Sequence, residues 1–246
     1  MKKVYSRPKL LKEAHFHYCA GCGHSIVTRL IAEVLEEMEL GGKAVCVAPA
    51  GCAMLIYNYF DFDTLESAHG RGAAVATGIK RVRPQNLVFS YQGDGDLAAI
   101  GTAESFHAAN RGELISVIFV NNGVYGMTGG QMAPTTLIDQ VTTTSPKGRK
   151  SAKEGHPVRM CEVLAVLSGT SYLERVAVNK PAAIVRAKKA IAKAFEHQLK
   201  GTGFSMVEIL SPCPTNWKMS TLDACKWVDE VMVKEFPLGI VKEVPC

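Results

Sequence analysis

The chain has 246 residues, 47% hydrophobic and 21% charged, which suits one large domain or two small ones around a sizeable core. Its net charge of +5 is spread along the sequence, and the basic clusters Lys147-Gly-Arg-Lys150 and Lys188-Lys189 are too short to argue for nucleic-acid binding. No run approaches the roughly eighteen apolar residues of a membrane span. The basic N-terminus lacks an apolar signal core, so a cytoplasmic location is expected.

In chain order, residues 25–38 carry apolar side chains at helical spacing, and Gly41-Gly42 stops them. Residues 45–48 are a short β-prone run ending at Pro49. A second run, 87–91, leads straight into Gly93-Asp94-Gly95-Asp96. Residues 97–110 read as a helix and 114–120 as an apolar run, broken only by Ser116, of the kind buried on both faces of a sheet. The segment 125–157 is rich in Gly, Thr, Ser and Pro and too long for a passive connection, so a functional loop is expected. A helix near 161–168, a strand at 172–178, a helix at 181–198 begun by Pro181 and a strand at 204–210 follow. The tail after Ser211 should wrap the outside and end in an amphipathic segment near 221–236. This alternation predicts an α/β fold, a parallel sheet with helices on both faces, here taken as one domain over 1–246. Ligands of such sheets sit beyond the carboxyl ends of the strands.

Gly93-Asp94-Gly95 is followed, after twenty-five residues, by Asn121-Asn122. Glycines at a strand end let backbone approach a diphosphate, and amides opening the next helix bind its oxygens. The intervening helix and strand return the chain to the same sheet edge. One carboxylate and one amide oxygen meeting there are hard ligands for Mg²⁺, which prefers few protein ligands plus phosphate oxygens.

Of the eight cysteines, Cys19 and Cys22 form a CxxC pair, which suits a zinc site, an iron–sulfur site, a redox pair or chance. No strand of suitable character precedes Cys19, so a thioredoxin-like role lacks support. A metal site needs two more ligands, and Cys52 and Cys213, each just beyond a strand end, are well placed. Cys46 and Cys161 read as buried small hydrophobes, and Cys225 and Cys246 receive no role.

These pieces resemble thiamine-diphosphate enzymes, and within them the β subunit of 2-oxoacid:ferredoxin oxidoreductases from end to end. The resemblance rests on His17-Tyr-Cys-Ala-Gly-Cys-Gly-His24, Pro49-Ala-Gly-Cys52, His69-Gly-Arg71, Tyr91-Gln-Gly-Asp-Gly-Asp96, the run Asn121-Asn-Gly-Val-Tyr-Gly-Met-Thr-Gly-Gly-Gln-Met-Ala-Pro-Thr-Thr136, and Cys213-Pro-Thr-Asn-Trp217. It implies Mg²⁺ on Asp94, Asn122 and the carbonyl of Val124, with Gly93, Gly95 and Asp96 along the diphosphate. It implies a [4Fe–4S] cluster on Cys19, Cys22, Cys52 and Cys213. It places Ala50, Gly51, Cys52, Ala53 and His69 against thiamine diphosphate, with Gly126 and Met127 near the thiazolium and His69 and Met127 in catalytic positions. His15, His17 and His24 would lie outside the cluster's ligands, and Arg71 would be a phosphate partner or an ion-pair member.

The implied reaction is CoA-dependent oxidative decarboxylation of a branched-chain 2-oxoacid, 3-methyl-2-oxobutanoate, with electrons passing through the cluster to ferredoxin. The implied partners are a pyrimidine-domain (α) subunit bearing the glutamate that activates the cofactor, and γ and ferredoxin-like δ subunits. A 2-oxoglutarate enzyme, a non-redox thiamine-diphosphate decarboxylase or synthase, and a zinc-ribbon binding module are the competing readings.

Overall fold

Four segments buried at nearly every position become the central strands of a sheet: β1 (Ala44–Pro49), β3 (Leu87–Gly93), β4 (Ser116–Asn121) and β8 (Phe204–Leu210). The computed structural model describes residues 6–245, so Cys246 lies outside the described residues. With β2 (Asp63–Ser67), β7 (Thr170–Ala177) and β9 (Gly239–Glu243), the order is β2-β1-β3-β4-β8-β7-β9, and every pairing is parallel except that of β9 with β7.

Alternate strand residues feed two cores. Cys46, Phe89, Ile118 and Val207 face α1 (His24–Glu37) and α6 (Pro181–Leu199). Val47, Val88, Val117 and Met206 face α2 (Gly72–Val82), α3 (Thr102–Asn110) and α5 (Met160–Ala165). On α1, Val27, Leu30, Ile31, Val34 and Leu35 are all essentially buried, each burial stabilising the fold by about 1.5–3 kcal/mol. The helix–sheet–helix layering expected from the alternation is present.

Two departures matter for the site. The helix expected over 97–110 is broken at Gly101. The Gly101 N–H reaches back to the Asp96 carbonyl at 2.7 Å, which makes 96–100 a wide π-turn. A Cβ on Gly101 would lie 2.7 Å from the Gly70 carbonyl oxygen, so the bulge seats the His69-Gly70 turn against the start of α3. The long loop over 125–157 holds a hairpin, β5 (Val124–Tyr125) with β6 (Gln131–Met132), and the single turn α4 (Ser151–Glu154). Arg149, 4% exposed, ties the loop by donating to the carbonyls of Pro134 at 2.8 Å, Thr136 at 2.6 Å and His156 at 2.7 Å, among others.

The tail forms α7 (Pro214–Trp217), α8 (Thr221–Trp227), a π-turn over 228–232 and α9 (Val233–Glu235). It buries Ala224, Val228, Met232 and Phe236 at four-residue spacing, as an amphipathic segment should. The edge strands β2 and β9 and helix α2 go beyond the elements expected from the sequence.

Candidate active site

The carboxyl ends of β1, β3 and β4, neighbours in mid-sheet, surround a cavity of about 180 Å³. Every residue expected around the cofactor lines it except Ala53, which is buried in the core. Asp94 is 2% exposed. Its carboxylate accepts from the Thr135 hydroxyl at 2.7 Å and the Gly95 N–H at 2.9 Å. Burial nevertheless pushes its pKa up to about 6, the hydrogen bonds opposing the rise. Among the described residues no ion pair compensates this carboxylate, so a divalent cation suits the donor set. Asn122, 5% exposed, accepts the Val124 N–H on its side-chain oxygen at 3.2 Å, which folds the chain back over the cavity. Gly95 has no substitute: a Cβ there would fall 2.4 Å from the Tyr125 ring.

Asp96 also lines the cavity, but its carboxylate is engaged by the His69 ring, by the Gly70 N–H at 2.6 Å and by the Gln92 amide at 2.6 Å. The carboxylate expected along the diphosphate thus holds His69 by Nδ1. Arg71 resolves as an ion-pair member, bonded to Glu104 at 2.6 Å. Asn121, first of the Asn pair, donates to Glu208 at 2.8 Å, and Glu208 accepts from the fully buried Arg175 at 2.8 Å.

A second cavity, about 190 Å³, adjoins the first, and Cys19, Cys22, Cys52 and Cys213 all line it. Burial pushes the Cys22 and Cys52 thiols up to about 12 and raises that of Cys213. Such thiols give up protons when they take a metal. Among the described residues no three His, Cys, Asp or Glu side chains close on one point as a single ion requires; the four cysteines surround a space. Cys46 and Cys161 are wholly buried in the two cores, apart from both cavities, and Cys225 sits in α8.

Several side chains of the site escape sequence reasoning. His24, expected only near the cysteines, is 2% exposed, lines the first cavity and shares a 2.5 Å hydrogen bond with the Tyr91 hydroxyl. Burial, and then His17, pushes its pKa down to about 3, so the ring is neutral. His17 lines the cysteine cavity and meets Tyr59 at 2.6 Å, while His15 is exposed. In the sequence Thr135 reads only as part of a motif, and Asn216 and Trp217 only as the end of one.

The pattern of the family described as thiamine pyrophosphate enzyme, C-terminal TPP binding domain, matches residues 49–209, which defines the class of this fold and site. A ketoisovalerate oxidoreductase subunit VorA of Methanothermobacter thermautotrophicus is 51% identical over 90% of this chain and 46% of its own length. A 2-oxoglutarate synthase subunit KorB of Archaeoglobus fulgidus is 38% identical over 87% of this chain and 75% of its own. The solved structure of 2-oxoglutarate:ferredoxin oxidoreductase from Magnetococcus marinus, with 2-oxoglutarate, coenzyme A and succinyl-CoA bound, has the same fold at TM-score 0.78 and 24% identity. That match covers 100% of this chain and 87% of the other. This chain belongs to the family of 2-oxoacid:ferredoxin oxidoreductase subunits that carry the thiamine-pyrophosphate-binding domain. It spans about half the length of the VorA relatives it matches. Among the described residues no helix is long and apolar enough to cross a membrane.

Proposed function

We propose that the chain holds the diphosphate end of thiamine diphosphate and a [4Fe–4S] cluster in a CoA-dependent 2-oxoacid:ferredoxin oxidoreductase, with 3-methyl-2-oxobutanoate as substrate. The observation that carries this is a shared wall: Cys52, Asn122, Gly126 and Met127 line both cavities. Thiamine diphosphate bound in one would be a near neighbour of a cluster bound in the other. When bound, the first supplies an electron sink for the 2-oxo carbon and the second a one-electron acceptor.

The chain's own residues have distinct tasks. Asp94, the Asn122 side chain and the Val124 carbonyl hold Mg²⁺, and Thr135 aims the Asp94 carboxylate. Gly93 and Gly95 admit the diphosphate. Asp96 takes Nδ1 of His69, which leaves Nε2 for the ligand, as acceptor when the ring is neutral and as donor when it is protonated. Four cysteines around a space suit a cluster better than a single zinc ion, and neither a zinc ribbon nor a non-redox thiamine enzyme accounts for both cavities. Met127, 46% exposed, and Ile100 beside the His69 turn present apolar surface on the open side, where a pyrimidine-domain subunit closes the site. The γ and ferredoxin-like δ subunits, ferredoxin and CoA complete the assembly.

Among the described residues no lysine or arginine lines the first cavity, and Arg149 is occupied by carbonyls. A second substrate carboxylate would therefore lack a cation from this chain, whereas Met127 offers an adaptable apolar contact to a branched side chain. 2-Oxoglutarate is the second reading, favoured by the KorB relatives, which are matched over more of their length. Protein purified without oxygen should be brown, contain iron and thiamine diphosphate, and show higher kcat/KM for 3-methyl-2-oxobutanoate than for 2-oxoglutarate once assembled with its partners. A colourless protein with full cofactor would refute the cluster, and a preference for 2-oxoglutarate would refute the substrate.

A further inference from the structure

The turn after Cys213 touches both cavities through one side chain. The Asn216 amide donates to the Gly126 carbonyl at 3.0 Å and to the Cys213 sulfur at 3.3 Å. Gly126 begins the tip of the β5–β6 hairpin and borders Met127; Cys213 lines the other cavity. The contact is tight on every side. A Cβ on Gly130, at the far end of the tip, would lie 3.1 Å from the Asn216 side chain. One on Gly126 would lie 3.3 Å from the Cys52 sulfur and 3.6 Å from the Asn216 amide nitrogen. Next in sequence, Trp217 donates its indole N–H to the Asn122 carbonyl at 3.0 Å. The two residues thus fasten this turn to the Mg²⁺ loop and to the hairpin.

An N–H aimed at a thiolate sulfur stabilises negative charge there, and the Asn216 amide is so aimed at the Cys213 sulfur. Hydrogen bonds to ligand sulfurs are among the factors that set iron–sulfur potentials. Adding one electron to a cluster held by four thiolates increases the charge on those sulfurs, so a donor favours the reduced state.

On the reading that the four cysteines carry a cluster, we infer that Asn216 is a positioning residue that raises the cluster's reduction potential. Its N–H is aimed by the Gly126 carbonyl, so that the loop beside the thiamine cofactor sets the donor's geometry. The same amide cannot leave the sulfur without also releasing the hairpin that carries Met127.

The test uses the assembled complex, purified without oxygen, as wild type, N216L and N216S. Leucine keeps the branched outline of asparagine without its donors, and serine, smaller than asparagine, is too short to reach both acceptors. Iron content is measured first, and the cluster midpoint potential is then followed by electron paramagnetic resonance during redox titration. The expected result is full iron in at least one variant and a midpoint shifted to more negative potential in each variant that keeps its iron. A midpoint unchanged with iron intact would overturn the inference. Loss of iron from both variants would also overturn it, because Asn216 would then be a structural strut for the site. A wild-type complex with no cluster signal would refute the proposed function itself, which keeps the two failures apart.

Discussion

Replacing Asp94 with asparagine should stabilise the metal-free chain at neutral pH while abolishing Mg²⁺-dependent binding of thiamine diphosphate. Burial lifts the Asp94 pKa from its ordinary 3.8 to about 6, a difference worth about 3 kcal/mol. In the unfolded chain the group loses its proton near 3.8, and in the folded chain only near 6. Between these values the folded state binds more protons, so stability falls as pH rises. The cost is absent below the lower value and complete above the upper one. The asparagine variant would carry no charge here at any pH and would escape it. Against that gain, the Thr135 hydroxyl and the Gly95 N–H both point at the carboxylate. An amide has one acceptor oxygen for them, a loss of about 1–2 kcal/mol. The net expectation is a gain of about 1–2 kcal/mol at pH 7, reversing to a small loss at pH 4. Urea unfolding of both chains in chelator, at intervals from about pH 4 to 8, reads this directly. If the two unfold with the same pH dependence, Asp94 does not carry an uncompensated buried charge, and the argument for a cation there loses its physical basis.

The Thr135→Val change removes the buried donor to Asp94 and should weaken Mg²⁺ affinity about 10–100-fold, with recovery in Thr135→Ser; calorimetric titration with cofactor present would show whether it does. Arg175→Met leaves Glu208 buried beside Asn121 without its cation and should cost about 3–5 kcal/mol of unfolding free energy; a loss under about 1 kcal/mol would refute the pair as a buried, uncompensated charge once broken. Single Cys→Ser variants at 19, 22, 52 and 213 should lose iron, and those at 46, 161, 225 and 246 should keep it. An iron-free C46S beside a full C52S would displace Cys52 as a ligand.

What is legible in the sequence follows from what each segment buries. The runs at 87–91 and 204–210 are mostly apolar, interrupted only at Ser90, Ser205 and Glu208, because both faces are covered, and the strands there lie close to the expected limits. The edge strand β2, Asp-Thr-Leu-Glu-Ser, buries little and carries charge, so nothing in its composition separates it from a loop; β9 is exposed along most of its length for the same reason. Helix α2 escapes notice because its buried face is made mostly of Gly72, Ala73, Ala76 and Thr77, small residues that do not stand out as a large apolar stripe.

The site divides along the same line. Residues whose type alone fits a ligand, such as Asp94, Asn122 and the four cysteines, can be picked out by spacing and the strand ends they follow. Residues that act by aiming others cannot, since a threonine, a glutamine or an asparagine is at home in any polar turn. Thr135 meets Asp94 across 41 positions of sequence and Asn216 meets Gly126 across 90, separations that only the closed sheet removes. Asp96 is the instructive intermediate. Its place in Gly-Asp-Gly-Asp marks it as part of the site, but the task of holding His69 goes with the π-turn at Gly101, where Gly70 and Gly101 pack backbone to backbone. A side chain at either glycine would separate the His69 turn from α3 and leave Asp96 without the ring it positions. The pairing of His69 with Asp96 is therefore encoded at two glycines that line neither cavity, which is why the motif locates the carboxylate and only the fold explains its direction.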